Sequence, residues 1–165
     1  MRNKLCVGLF ISFITAIVVS FTTKHTLAEQ VPLEDSSSQM TIQSVMPETV
    51  QWITHPTIAG VESAIALGDP TNSELYVLLG KMNTGAIFPT HTHPDDRITT
   101  VISGVMYYGI GEQFVQAEVQ PYPAGSVVYT PAGTPHFMWA KDGGAVMQET
   151  GMGPTDIQFI ADIQN

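Results

Sequence analysis

Residues Gly85–Gly104 read GAIFPTHTHPDDRITTVISG, and residues Gly125–Ala140 read GSVVYTPAGTPHFMWA. His91 and His93 stand two apart in the first stretch. On a strand, residues i and i+2 point to one face, so both imidazoles can meet one ion with no special backbone. His136 lies far away in sequence, just after the turn Pro131-Ala132-Gly133-Thr134-Pro135. A third imidazole arriving on a separate strand suits a metal held between strands of a β-barrel. Neutral imidazole is a good ligand for Zn, Fe, Cu, Ni and Mn, and three converging rings leave coordination positions open. The bland alternative is a set of hydrogen-bonded barrel histidines, and the spacing of both stretches argues against it.

The chain on either side is strand-like. Val45–Ile53 is expected as a short edge strand, punctuated by His55-Pro56 because the residue before proline is pushed to extended geometry. His55 reads as a surface or turn residue rather than a fourth ligand. Gly60–Leu67 and Glu74–Met82 are predicted strands separated by the loop Gly68–Asn72, with Tyr76–Leu79 apolar enough to face a core. Ile87–His93 runs extended into Pro94. Ile98–Ser103 and Val105–Ile110 flank Gly104 and read as a tight hairpin, with glycine taking the unusual backbone angles. Gly109–Ala117 is less regular and has room for one helical turn. Ser126–Thr130, Phe137–Ala140, Ala145–Glu149 and Ile157–Ile160 complete the set, with Gly143-Gly144 and Gly151-Met152-Gly153-Pro154 as turns. Short strands at regular spacing predict an all-β barrel or sandwich.

The two quoted stretches resemble the two motifs of the cupin superfamily. The first is similar to G-x5-H-x-H-x3-E-x6-G, matched at Gly85, His91, His93 and Gly104. The second is similar to G-x5-P-x-G-x2-H-x3-N, matched at Gly125, Pro131, Gly133 and His136. The resemblance covers roughly Ser63 to Ile160. It implies a cupin-like double-stranded β-helix, or jelly-roll, β-barrel over residues 45–165. It also implies a divalent transition metal (Fe, Mn, Zn, Ni or Cu) on His91, His93 and His136.

Two positions depart from the pattern. Ala140 stands where the family often has Asn, and Arg97 stands where it usually has a metal-binding Glu. A guanidinium keeps its proton and cannot ligate a metal. Arg97 therefore has two readings. It stands back from the metal and clamps a substrate carboxylate in bidentate fashion, or it turns away and pairs with Asp95 or Asp96. A third option brings Asp96 inward as the missing carboxylate. We take Arg97 as the candidate catalytic residue, in the orienting role. Three histidines without a carboxylate resemble the thiol-dioxygenase type of iron site, which implies a metal-dependent enzyme, dioxygenase-like or another oxidoreductase or lyase, acting on a small organic, and by the clamp reading anionic, molecule. The competing reading is a non-catalytic cupin that captures or senses a small molecule or a metal. Tyr107, Tyr108, Met106, Met138 and Gln148 are candidates for the pocket wall, while Tyr129 and Trp139 read as packing residues. No Ser–His–Asp arrangement, phosphate loop or paired-carboxylate signature stands out.

The first 28 residues are different material. Arg2 and Lys4 precede the apolar run Leu5–Phe21, and a polar segment ends in Thr26-Leu27-Ala28. That order predicts a signal peptide cleaved after Ala28, hence a periplasmic or secreted protein rather than an anchored one. Residues 29–44 form an acidic, serine-rich lead-in, expected to be flexible. Cleavage would remove three of the six cations and none of the fifteen acids, leaving a formal charge of −12. Nucleic acid and anionic membrane surfaces are thereby excluded as partners. A small molecule is the expected ligand, and a homodimer is the one macromolecular assembly left open. The sole cysteine, Cys6, falls within the apolar run, so the mature chain would carry no thiolate ligand.

Overall fold

The computed structural model describes residues 42–161. The signal peptide expected at 1–28 and nearly all of the lead-in at 29–44 lie outside the described residues. Eleven strands follow in order: β1 (Ile53–Thr54), β2 (Val61–Leu67), β3 (Leu75–Met82), β4 (Ile87–Thr92), β5 (Arg97–Ser103), β6 (Val105–Ile110), β7 (Gln120–Pro123), β8 (Val127–Thr130), β9 (His136–Trp139), β10 (Ala145–Met152) and β11 (Gln158–Phe159). Among the described residues the only helical pieces are two 3₁₀ turns, Pro47–Thr49 and Gln116–Glu118. The second closes the irregular stretch where one helical turn was expected.

The strands form two antiparallel sheets, in the orders β1-β2-β3-β10-β5-β8 and β11-β4-β9-β6-β7. Alternation sets the faces. On β5, Arg97, Thr99 and Val101 are buried while Ile98 and Ile102 are exposed, as a period of two requires. Val61, Met82, Val101 and Met147 from one sheet meet Phe88, Met106, Tyr108 and Met138 from the other in a single buried cluster. Each such side chain contributes about 1.5–3 kcal/mol when fully buried, and the unbranched methionines fill the irregular gaps between twisted sheets.

Three expectations need correction. Ile98–Ser103 and Val105–Ile110 do not form a hairpin, because β5 and β6 belong to different sheets. Residues 124–126 take the bonds a hairpin partner would have made: Gly125 N–H donates to Val101 O at 2.8 Å, and Val101 N–H to Ser126 O at 3.0 Å. Gly104 carries the chain across at φ +75°, where an added Cβ would lie 2.0 Å from Gly144 O. The expected edge strand Val45–Ile53 is mostly not a strand. Pro47 fixes its own φ and opens a 3₁₀ turn, and pairing begins only at Ile53, opposite Ser63. Finally, β7 is an additional strand. Pro121 and Pro123 hide it in the sequence, yet its place at a sheet edge suits residues without an N–H.

Candidate metal centre

The histidine pair depends on a defect in β4. Phe88 pairs with Met138 of β9, but His91 pairs with His136, so three steps on β4 oppose two on β9. This β-bulge shifts the phase of alternation and lets Phe88, His91 and His93 all be buried. Pro89 sits inside the bulge, where a missing N–H does least harm. The turn Pro131–Pro135 is hooked to the same strand end by Gly133 N–H, which donates to His93 O at 2.8 Å.

The three imidazoles converge. Ring centroids are 4.1 Å apart for His91 and His136, 4.7 Å for His91 and His93, and 5.4 Å for His93 and His136. One ligand nitrogen from each lies within 4.8 Å of the other two. The remaining nitrogens are engaged. Nδ1 of His91 donates to Pro89 O at 2.7 Å, Nδ1 of His93 to Asp156 O at 2.7 Å, and Nδ1 of His136 to Thr134 O at 2.8 Å. A carbonyl can only accept, so each Nδ1 carries the proton and each Nε2 keeps its lone pair. Burial, with the charge of Arg97 and the neighbouring rings, lowers His91 to about 2 and His93 to about 4. Burial and Arg97 lower His136 to about 4 as well. The cluster is three neutral ligands with their tautomers already fixed, which is the donor set a divalent transition metal needs.

Arg97 lies beside them, only 3% exposed. Its Nη1 donates to Glu149 Oε2 at 3.0 Å, and its Nη2 donates to Asp95 Oδ1 at 3.0 Å and Thr155 Oγ1 at 2.8 Å. Asp95 also accepts from the Tyr76 and Thr155 hydroxyls. Burial pushes the Asp95 carboxyl up, but those hydroxyls and the Arg97 charge outweigh it and hold it below the usual range. Tyr76 is raised to about 12 by burial and its bond to Asp95. With both terminal amino groups taken, no bidentate fork is free for a substrate carboxylate. Arg97 does pair with Asp95, but in the interior and with Glu149 as a second partner. Asp96 does not move inward, since its Oδ1 accepts from Ala132 N–H at 2.7 Å and the residue is exposed.

A cavity of about 520 Å³ is lined by His91, His93, Arg97 and Glu149, with Phe88, Leu78, Met138 and Met147 among its apolar walls. Met138 therefore lines it as expected, whereas Gln148 lies outside that lining and bonds Thr150 Oγ1 at 3.3 Å. Glu149, one residue on, takes the inward place. Its cue in the sequence is indirect: a buried arginine needs carboxylates. Tyr108 is buried and stacks on His136 at 5.1 Å, its hydroxyl paired with Thr130 Oγ1 at 2.8 Å. Burial raises its pKa. Tyr107 turns to Asp142 and Met106 is core. Trp139 packs on Phe114 and Tyr107, while Tyr129 is exposed on the outside of its sheet. His55 is a turn residue, as its reading has it, with Nδ1 accepting from the Thr57 and Ile58 N–H groups, and its ring also borders the cavity.

Two antiparallel sheets closed over three converging neutral imidazoles define a metal-binding jelly-roll barrel. Residues 78–147 match the family model described as Cupin domain, which marks that part of the barrel as a cupin domain. No curated protein matches the sequence. Solved structures do. The polyketide cyclase RemF from Streptomyces resistomycificus is 13% identical, with 73% of this chain and 87% of that one covered at a TM-score of 0.62. An RmlC-like cupin protein from Ralstonia eutropha JMP134 is 21% identical, with 76% of each chain covered and a TM-score of 0.59. The DMSP lyase DddQ from Ruegeria pomeroyi DSS-3 is 17% identical, with 72% of this chain and 59% of that one covered at 0.53. At these identities the likeness speaks to the fold.

Proposed function

We propose that this cupin is an exported, metal-dependent enzyme acting on a small, largely apolar organic molecule beside His91, His93 and His136. One observation carries the reading. Three Nε2 lone pairs, fixed by three Nδ1–H···O=C bonds, converge beside an apolar cavity large enough for a small organic ligand. Those three histidines would hold a divalent transition metal, which when bound supplies Lewis acidity or redox capacity with open coordination positions. The chain's own groups do the rest. Phe88, Met138 and Met147 exclude water. Glu149, steadied by Arg97 Nη1, is a cavity-wall carboxylate placed to accept a proton from a bound molecule. Arg97 acts through Glu149 and Asp95 and is a positioning residue. The order of basic, apolar and small residues before Ala28 supports export.

The test is native protein purified from its own export compartment, since expression elsewhere can load the wrong ion. The expected result is about one transition metal per chain, a metal spectrum that changes with a co-purifying or screened small molecule, and turnover of that molecule. Metal present with a ligand retained unchanged would replace the enzyme by a capture protein. Retention of residues 1–28 in the intact mass would overturn export with cleavage.

A further inference from the structure

The fourth histidine of the barrel has the opposite tautomer from the other three. His55 lies between β1 and β2, and its own N–H donates to Val61 O at 2.8 Å. Its Nδ1 accepts from two backbone N–H groups, Ile58 at 3.1 Å and Thr57 at 3.3 Å, with the Thr57 hydroxyl at 3.5 Å. Two donors aimed at one ring nitrogen leave no room for a proton on it. The neutral ring therefore carries its proton on Nε2. That N–H has no oxygen or nitrogen partner among the described residues.

The ring is fixed in place as well as in tautomer. It stands edge-on to Phe88 at 5.8 Å and to Phe159 at 6.3 Å. Phe88 is in turn 4.7 Å from His91. His55, Phe88, Phe159 and His91 all line the one cavity, and the Phe88 ring neighbours both the His55 ring and that of His91.

We infer that His55 is a ligand-positioning residue: its Nε2–H binds an acceptor on a molecule whose other end reaches the three-histidine centre. The inference rests on the proposed metal site and deepens it. The ligand class has two polar ends, a metal-binding group and a hydrogen-bond acceptor, joined by an apolar stretch that lies along Phe88.

Two isosteres separate this role from turn capping. Asn places an oxygen where Nδ1 stands and preserves the cap, but loses the Nε2 donor. Gln places an amide N–H near Nε2 but loses the cap. The probes are 3- and 4-acetylbenzohydroxamic acid and their isopropenyl counterparts, in which CH₂ replaces the carbonyl oxygen. Binding is read from the visible spectrum of the cobalt(II)-substituted protein. Wild type is expected to prefer one acetyl probe over its counterpart by about tenfold, the worth of one hydrogen bond. In His55→Asn the preference should fall within twofold, while isopropenyl affinity, cobalt content and melting temperature hold. His55→Gln should keep part of the preference. In metal-free wild type, ¹⁵N NMR should find the His55 proton on Nε2 and the other three protons on Nδ1. Equal affinity for each probe pair in wild type, a preference that survives in His55→Asn, or a proton on His55 Nδ1 would each overturn the role. Failure of cobalt to load would overturn the metal centre and this role together, whereas loading with the wrong probe order would overturn this role alone.

Discussion

The barrel buries two polar clusters side by side, and they are built on opposite plans. Around Arg97 donors meet acceptors: Nη1 has Glu149, Nη2 has Asp95 and Thr155, and Asp95 has Tyr76 besides. Only Arg97 Nε lacks a partner. Around His91, His93 and His136 the donors all point outward to backbone carbonyls, and three acceptor nitrogens face one another. Facing lone pairs repel, and burial keeps the rings from taking up protons to relieve it. A bound cation relieves it directly. The arginine cluster closes on itself, and the histidine cluster is completed by something added.

Substitution should separate the two clusters cleanly. His91→Ala, His93→Ala or His136→Ala should each weaken metal binding by more than about a thousandfold, because a full site worth ~10–16 kcal/mol rests on very few ligands. Competition with a chelator of known affinity measures it, with His55→Asn unchanged as the control. Arg97→Ala should do the reverse. It takes the cation from two carboxylates, leaving Asp95 only its Tyr76 and Thr155 hydroxyls, and should lower unfolding free energy by about 3 kcal/mol, the low end for a broken buried pair because Glu149 is only partly covered. The folded fraction should still bind metal. Urea denaturation with metal analysis checks both. If Arg97→Ala emptied the site while folded, the clusters would be one unit and the comparison would break.

A smaller effect is expected with pH. In metal-free protein the folded pKa values of His93 and His136, about 4, lie below the unfolded value of 6.5. Below 6.5 the unfolded chain takes up protons that the folded chain refuses, so stability should fall between pH 6.5 and 4. The slope is at most about 1.4 kcal/mol per pH unit for each histidine. Asp95, held below the ordinary carboxylate range, adds its loss only at still lower pH. Urea midpoints of chelator-treated protein at stepped pH should trace this decline, and a flat profile from 6.5 to 4 would refute the neutral cluster.

The ligand histidines were legible because H-x-H on a strand needs only the two-residue period, and because His136 follows a turn whose residues announce themselves. The bulge that gives His91 its register was not, since nothing in Ile87–His93 counts residues on the partner strand β9. Gly104 showed a sharp turn, but not that residues 124–126 would claim β5 and send β6 to the other sheet. Gln148 and Glu149 differ by one step of alternation, which only pairing fixes: Glu149 lies opposite both Leu78 and Thr99. Asp156, whose carbonyl sets the His93 tautomer, and Thr155, which completes the arginine cluster, lie beyond both motifs. Tautomers are decided by backbone carbonyls and amides, so the sequence set His55 apart from the three candidate ligands but could not give its tautomer.

The most direct measurement is X-ray absorption at the metal edge of native protein, paired with its metal-to-protein ratio. The account predicts a ratio near one and imidazole scattering from three nitrogens, at about 2.0–2.1 Å if the ion is zinc, with one imidazole fewer in His136→Ala. A ratio near zero after mild dialysis, or a shell built from carboxylate oxygens with fewer than three imidazoles, would contradict it.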